Sequence, residues 1–379
     1  MSAHHGLRAE HIGSLLRPQA LLDMAAAHAE QRVTDDQLRA SEDEAILQAL
    51  RLQQDVGLTV FSDGEFRRTW FAGAWMRAIE GFVDPQQPPG PRALGWHGSD
   101  PALATAVLAP IGSGRVVGDH VRQVRRFAED ECIFLREHAP GPFKVTLPGV
   151  VSQAMRWFSP GITERFYPTR RSLIEELAGL LRDEVRLLTG EGAACVQLDS
   201  LVYVIQLGDR DKRAELEAAG EDLDALLSDA IFADNHSLEP ARTAGLTTGL
   251  HMCRGNNRSQ WVAEGGYEPV AERAFAELKV DRLLLEYDSD RAGGFEPLRF
   301  VSPEKTVVLG LISTKTPQLE SQDDLLRRID EASRYVPVER LALSPQCGFA
   351  SVAPGNLISF DDQRRKLELV VDTAQKVWG

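Results

Sequence analysis

The chain has 379 residues, of which 43% are hydrophobic, and a formal net charge of -14 at pH 7. This length and apolar content allow one large barrel or two medium domains and exclude a disordered or fibrous chain. The negative charge argues against nucleic acid and anionic membrane surfaces as partners, so the expected partner is a small molecule.

The first elements in chain order end in polar residues. The segment from Glu10 to Pro18 is predicted to be a short strand that opens into a loop, and a helix is predicted to run from there to about Gln54. The segment Leu58 to Glu65 is predicted to be a strand that ends in two acidic residues and a glycine.

Residues 70–140 interrupt this alternation. They contain a Trp-rich helical segment, a Pro/Gly stretch from Pro85 to Gly95, and two β-prone runs, Leu103 to Leu108 and Arg115 to Val117. We interpret them as a helical and β-hairpin insertion after the second strand. A separate small domain is the alternative.

From Phe143 onward, apolar strands alternate regularly with helices. Counting gives eight strands, each followed by a helix, which favours a single (β/α)8 barrel domain over residues 1–379, an α/β fold of the TIM type. In such a barrel the active residues come directly after the strands. The remaining predicted strands are Phe143 to Leu147, Cys195 to Asp199, Gly245 to Cys253, Arg282 to Asp288, Thr306 to Ile312 and Arg340 to Ser344; the predicted helices are Thr163 to Gly190, Glu221 to Ala244, Val270 to Leu278, Gln322 to Tyr335 and Asp361 to Trp378.

The chain gives no sign of export. No run approaches the roughly 18 apolar residues that a membrane span needs, and Met1 to His5 lacks the regions of a signal peptide. A cytoplasmic protein is expected. Its few, widely spaced cysteines form a poor disulfide framework, so metal binding or burial is expected of Cys132, Cys195, Cys253 and Cys347.

His251 and Cys253 lie two apart in a predicted strand, so their side chains point to the same side. Glu286 ends the sixth strand and Cys347 follows the eighth, which puts all four at one rim of the barrel. One His, one Glu and two Cys form a complete tetrahedral set for zinc. For Glu286 a salt bridge or substrate contact is the alternative, and Cys132 and Cys195 are interpreted as packing residues.

The chain resembles the catalytic barrel of cobalamin-independent methionine synthase and the shorter single-barrel proteins related to it. The resemblance spans nearly the whole chain. The segments that carry it are Ile12-Gly13-Ser14, Asp63-Gly64-Glu65-Phe66-Arg67-Arg68, Gln197-Leu198-Asp199, His251-Met252-Cys253, Glu286 and Pro345-Gln346-Cys347-Gly348.

In that family, zinc held by His, two Cys and Glu binds the thiol of homocysteine, which takes a methyl group from methyltetrahydrofolate. The resemblance implies that His251, Cys253, Glu286 and Cys347 hold zinc in this chain. It also implies an amino-acid site in which Ile12 and Ser14 bind the carboxylate and Glu65 and Asp199 bind the ammonium. For Glu65 the alternative is a salt bridge to Arg67 or Arg68.

Three departures from the large synthases concern the methyl donor. Where the large synthases carry a histidine after the seventh strand, this chain has Lys315, which could take over proton transfer or bind an anionic donor or substrate. The chain also lacks the second barrel of the large synthases and has Ser200-Leu201 where they have Glu-Pro. Trp157 is a candidate platform for a pterin ring.

The leading hypothesis is a zinc-dependent methyltransferase that moves a methyl group from a methylfolate-type donor to homocysteine. One alternative is transfer of another alkyl electrophile to a thiol, as in epoxyalkane:coenzyme M transferases, although paired Glu65 and Asp199 suit an amine that coenzyme M lacks. Another is a non-catalytic barrel that binds zinc or a thiol. The sequence leaves the oligomeric state open, a homo-oligomer included.

Overall fold

A computed structural model describes residues 7–85, 96–98 and 114–379. These residues form a (β/α)8 barrel in which six parallel strands lie side by side in sequence order. These barrel strands are β3 (Lys144–Pro148), β4 (Cys195–Asp199), β5 (Thr247–Met252), β6 (Arg282–Glu286), β7 (Thr306–Ile312) and β8 (Leu341–Pro345). A separate antiparallel pair consists of β1 (Ile79–Val83) and β2 (Val116–Gln123).

The first two predicted strands close the barrel without forming regular strands, which corrects the prediction for Glu10–Pro18 and Leu58–Glu65. Each is reduced to one parallel bridge, Ala9 to Leu343 on β8 and Phe61 to Phe143 beside β3. The reason is local: the side chain of Gln53 bonds both the N–H and the carbonyl of Ser62, the groups that a ladder would use. The two segments meet where Leu15 N–H donates to the Gly64 carbonyl.

The helices lie outside the sheet and bury their apolar faces on it. The helix Arg170–Gly190, for example, buries Leu173, Leu177, Leu181 and Leu188. Within the described residues, no helix is both long and apolar enough to cross a membrane. The helices are α1 (Gln19–Ala29), α2 (Asp35–Asp55), α3 (Gly73–Ala78), α4 (Glu129–His138), α5 (Val151–Trp157), α6 (Arg170–Gly190), α7 (Arg210–Ala218), α8 (Leu223–Thr243), α9 (Glu268–Glu277), α10 (Gln322–Ser333) and α11 (Phe360–Trp378).

Capping chemistry explains where two predicted helices were wrong. The single helix predicted up to Gln54 is two, because Thr34 forms a capping box that starts α2. The helix predicted from Thr163 begins at Arg170, since Pro168 disfavours helix before it and Thr169 caps the new start. The sequence prediction also missed α7, which Asp209 caps.

The part of the chain between the second and third barrel segments contains α3, α4 and the antiparallel pair. Val116 and Val117, from the predicted run Arg115 to Val117, pair with Val83 and Phe82. The other predicted run, Leu103 to Leu108, lies outside the described residues, as does most of the stretch from Pro85 to Gly95. The predicted pairing of the two runs therefore stays untested.

The barrel interior is layered. Near the amino ends of the strands, Glu10 forms buried ion pairs with Lys144 and Arg282. A small apolar cluster of Ile12, Leu284, Val308 and Ala342 fills the middle. The layer above it, at the carboxyl ends of the strands, is polar again and contains the candidate site.

Candidate metal centre

Four potential metal ligands converge at the carboxyl end of the barrel. Their donor atoms all lie within 4.8 Å of one another, and His251, Cys253, Glu286 and Cys347 are all buried. The two sulfur atoms are 3.4 Å apart. A tetrahedral ion with metal–sulfur bonds of about 2.3 Å needs sulfurs about 3.8 Å apart, so the arrangement accepts an ion after a small outward shift.

The imidazole of His251 is oriented to coordinate. Its Nδ1 lies 3.2 Å from the carbonyl oxygen of Leu284, a hydrogen bond in which Nδ1 is the donor. That tautomer leaves a lone pair on Nε2, which is buried and has no hydrogen-bond partner among the described residues. A buried, unpaired ring nitrogen of this kind fits a metal ligand.

Glu286 is fully buried and held from one side only. Its Oε1 accepts from the backbone N–H of Arg254 at 2.8 Å, while Oε2 has no hydrogen bond within the described part of the chain. The guanidinium of Arg254 and the hydroxyl of Tyr267 both donate to the backbone carbonyl of Glu286. Oε2 is thus left to coordinate an ion; the nearest cation is Arg291, at 3.8 Å.

In the metal-free cluster, the pKa values of the two thiols and the imidazole are shifted in different directions. The hydrogen bond from Cys253 lowers the pKa of Cys347 well below its ordinary value. The same bond, together with burial, raises the pKa of Cys253 well above it. Burial would lower the pKa of His251, but the neighbouring Cys347 sulfur outweighs burial and raises that pKa to about 9 in the metal-free cluster. Two thiols this close cannot both ionise without a neighbouring cation.

The predicted ammonium ligands, Glu65 and Asp199, lie beside this cluster. Asp199 is directly opposite His251 in the parallel register of β4 and β5, and burial, reinforced by the charge of Glu65, raises its pKa to about 7. Oε1 of Glu65 accepts from the Thr146 hydroxyl at 2.9 Å. The backbone of Glu65 is left-handed, with φ 61°, a strained conformation that in non-glycine residues is concentrated at functional sites.

Ile12 and Ser14, which are predicted to bind the substrate carboxylate, are hydrogen-bonded to β4 and to the loop after Cys347, respectively. The Ser14 carbonyl accepts from Phe349 N–H, and Ser14 Oγ accepts from Ala350 N–H, both in the loop after Cys347. Gly348 packs so closely here that a Cβ would lie 2.0 Å from Ser14 Oγ. The Ile12 carbonyl accepts from the side chain of Gln197, which also donates to Asp199.

Comparison with known proteins identifies the family. The family described as "Cobalamin-independent synthase, Catalytic domain" matches residues 163–376, and the chain is 35% identical to the uncharacterized protein YxjH of Bacillus subtilis over 98% of this chain and 94% of that protein. The chain belongs to the cobalamin-independent methionine synthase family.

A further relative and a solved structure are also similar to this chain. The methionine synthase of Pyrococcus abyssi is 23% identical, over 89% of this chain and 84% of that protein. The structure of a B12-independent methionine synthase from Shewanella, in complex with selenomethionine, has a TM-score of 0.71 at 18% identity and covers 98% of this chain and 97% of that one. That structural likeness supports the barrel fold.

Trp157, the last residue of α5, lies in an aromatic cluster with residues from the α3–β1 segment. Its ring is 3% exposed and packs edge-on against Trp75, at 6.1 Å, and Phe82, at 4.9 Å. These contacts indicate a packing residue with little free surface to stack on a pterin. Trp70 and Phe71 are half-buried and contact the loop after Cys347 through Val352 and Ser351.

Lys315, at the position where the large synthases of this family carry a histidine, is buried and points its ammonium at the loop after β5. It donates to three oxygen atoms there. This arrangement differs from both roles expected of it, proton transfer and anion binding.

Sequence reasoning missed the residues that support the ligands. Arg254 and Tyr267 hold Glu286, and Arg17 bonds backbone carbonyls in the loops that carry Glu65 and Ala350. Arg254 directly follows Cys253, which was a usable signal. Tyr267 and Arg17 reach their partners across long stretches of chain, for which no local pattern exists.

Proposed function

We propose that the protein is a zinc-dependent methyltransferase that moves a methyl group from a methylfolate-type donor to the thiol of homocysteine, forming methionine. The observation that carries the proposal is the buried cluster of four ligand atoms within 4.8 Å of one another, at the barrel end where Glu65 and Asp199 also lie. The names of the Pyrococcus and Shewanella relatives support the same reaction.

The proposed metal ligands are His251, Cys253, Glu286 and Cys347. Two thiolates, one imidazole and one carboxylate are a typical donor set for zinc. When bound, zinc supplies the acidity that removes the proton from a coordinated thiol, whose free pKa of about 8.5 leaves little thiolate at neutral pH. The carbonyl of Leu284 and the N–H of Arg254 keep His251 and Glu286 in position for this role.

The amino-acid part of the substrate is proposed to bind beside the cluster. Glu65 and Asp199 bring two carboxylates to one buried pocket, where Arg68 lies 3.8 Å from Glu65 Oε1. A second cation in the pocket lowers the cost of burying both charges. An ammonium group satisfies both. Ile12 and Ser14, the proposed ligands of the substrate carboxylate, flank Gly13, where an added Cβ would lie 2.6 Å from Glu65 Oε1. An amine requirement favours homocysteine over a thiol without an amino group, such as coenzyme M.

Metal content and turnover test the proposal together. We expect about one zinc per purified chain and formation of methionine from homocysteine and a methylfolate. Cys347→Ser is expected to abolish turnover and lower zinc content without unfolding the barrel. Cys195→Ala, at a buried cysteine of β4 outside the cluster, is the matched control and is expected to keep both turnover and zinc content. Full turnover after complete removal of zinc contradicts the proposal.

A further inference from the structure

The ammonium of Lys315 has no free proton. Its Nζ lies 3.2 Å from the Gly255 carbonyl, 3.0 Å from Asn256 Oδ1 and 3.1 Å from the Gln260 carbonyl. An ammonium carries three protons, so each is used by one of these oxygens. All three acceptors belong to one short segment, residues 254–261, which we name the β5 loop.

The β5 loop begins directly after a metal-ligand candidate and is bonded to it. Gly255 N–H donates to the sulfur of Cys253 at 3.3 Å. Asn256 Nδ2 donates to the Gly348 carbonyl at 2.7 Å, one residue beyond Cys347. The position of this loop therefore sets the surroundings of both sulfur atoms.

The β5 loop holds a conformation that its own sequence does not favour. Arg258 and Ser259, at its tip, are both left-handed, with φ 48° and 69°. Two backbone hydrogen bonds between Asn257 and Gln260 close this turn. Neither tip residue is a glycine, so contacts from outside the turn are needed as well to offset the strain. On one side, Ser259 is hydrogen-bonded to Asn356 and Leu357. On the other side, Lys315 donates hydrogen bonds to residues before and after the tip of the turn.

We propose that Lys315 is a positioning residue: it wraps the β5 loop around its ammonium and thereby fixes Cys253 and the N–H group that faces the Cys253 sulfur. It is not the proton donor of the reaction. Its charge also suits the site, since two thiolates and one carboxylate around a divalent ion leave one negative charge that a single ammonium balances. The inference uses the metal site of the proposed function but not the identity of its substrates.

Lys305, at the opposite end of β7, provides a matched control. It lies just before β7, as Lys315 lies just after it, and is buried to a similar degree. Its ammonium donates to the carbonyls of Phe275 and Ala276 and to Ser302 Oγ, far from the metal ligands. Lys305→Met and Lys315→Met therefore remove the same kind of interaction from opposite ends of the barrel.

The test compares the two variants by amide hydrogen exchange and by titration with cobalt(II) and zinc. Lys315→Met is expected to speed exchange in residues 255–260 about tenfold or more, to alter the cobalt absorption bands, and to weaken metal binding by about 10- to 100-fold. Lys305→Met is expected to leave all three unchanged. These readouts need no turnover, so failure of the proposed reaction and failure of this inference are distinguishable.

Two results overturn the inference. One is a Lys315→Met protein with normal loop exchange, cobalt spectrum and metal affinity, whatever its turnover, because the lysine then has no positioning role. The other concerns Asn256→Ala, which removes one acceptor and is used if Lys315→Met does not fold. Unchanged exchange in the β5 loop of that variant contradicts the proposed wrapping; faster exchange supports it.

Discussion

Arg17 donates a hydrogen bond from Nη2 to the backbone carbonyl of Glu65, at 2.6 Å. The same guanidinium donates to the carbonyls of Arg68 and Ala350, at 2.7 and 3.1 Å. Arg17 is 6% exposed, so these carbonyls are shielded from water that could replace it. One buried side chain thus ties the loop that carries Glu65 to the loop that follows Cys347.

Replacing Arg17 tests this link. Arg17→Met removes three buried hydrogen bonds; the Glu65 carbonyl keeps the N–H of Arg68 as a donor, whereas Arg17 is the donor shown for the other two. At about 1 kcal/mol or more for each bond, the free energy of unfolding in urea is expected to fall by about 3 kcal/mol. The KM for homocysteine is expected to rise as Glu65 loses its position. Arg32→Met removes an exposed pair with Glu30 and should change stability by less than about 0.5 kcal/mol. Equal effects of the two substitutions contradict the link.

Glu65→Gln and Asp199→Asn test recognition of the ammonium. Each removes one negative charge from the pocket, so KM for homocysteine is expected to rise about 10- to 100-fold, a loss of about 1.4 to 2.7 kcal/mol, with zinc content unchanged. A thiol acid without an amino group should lose no affinity in the variants. Glu268→Gln, which alters an exposed partner of Arg299, serves as control. Equal losses of affinity for both thiols would show that the two carboxylates do not bind the ammonium group.

The cysteine pair predicts protection by metal. With their sulfurs 3.4 Å apart, Cys253 and Cys347 are expected to form a disulfide when metal-free protein is treated with diamide, which is reduced as the two thiols are oxidised. Zinc-loaded protein should resist, because both sulfurs are then coordinated. Mass spectrometry after alkylation measures the bond; Cys253→Ser is the control. Equal oxidation with and without zinc counts against coordination by this pair.

Asp234 gives a pH prediction away from the metal. It is 1% exposed, accepts from the Tyr203 hydroxyl, and burial raises its pKa from 3.8 to about 7. Between these values the folded protein keeps a proton that the unfolded chain loses, so this group's contribution to stability declines as pH rises through that window and levels off above it.

Asp234→Asn stays neutral at every pH. Its free energy of unfolding, relative to the wild type, is therefore expected to increase from pH 4 to pH 7 by an amount on the order of a few kcal/mol. Chemical denaturation at several pH values measures the difference. Asp36→Asn, at an exposed position of α2, should give a curve parallel to the wild type. A constant offset for Asp234→Asn would show that burial does not hold the proton.

The barrel and the cluster of candidate metal ligands were predictable because both depend on local sequence patterns. Apolar runs marked six of the strands, and His251, Cys253, Glu286 and Cys347 each come at or just after a strand end. Parallel strands place such positions at one rim whatever the details of the helices. The family resemblance then matched these residues one by one.

What could not be predicted depends on contacts between distant segments. The side chain of Gln53 replaces a sheet ladder at Ser62, and Pro168 delays a helix whose apolar period extends before it. The sequence predicts that Lys315 acts on a proton or an anion. Its hydrogen-bond partners in the β5 loop lie 55 to 60 residues earlier, so no neighbouring residue reveals them. No pattern around Lys315 announces those oxygens.

The contacts between Ser14 and the loop after Cys347 bridge 336 residues, and they have a consequence for biosynthesis. A polypeptide leaving the ribosome presents Ser14 long before the sulfur of Cys347, which emerges only when translation has passed the eighth strand. A nascent chain that lacks this strand therefore cannot complete the proposed metal centre, so ion capture is expected late, when the barrel closes.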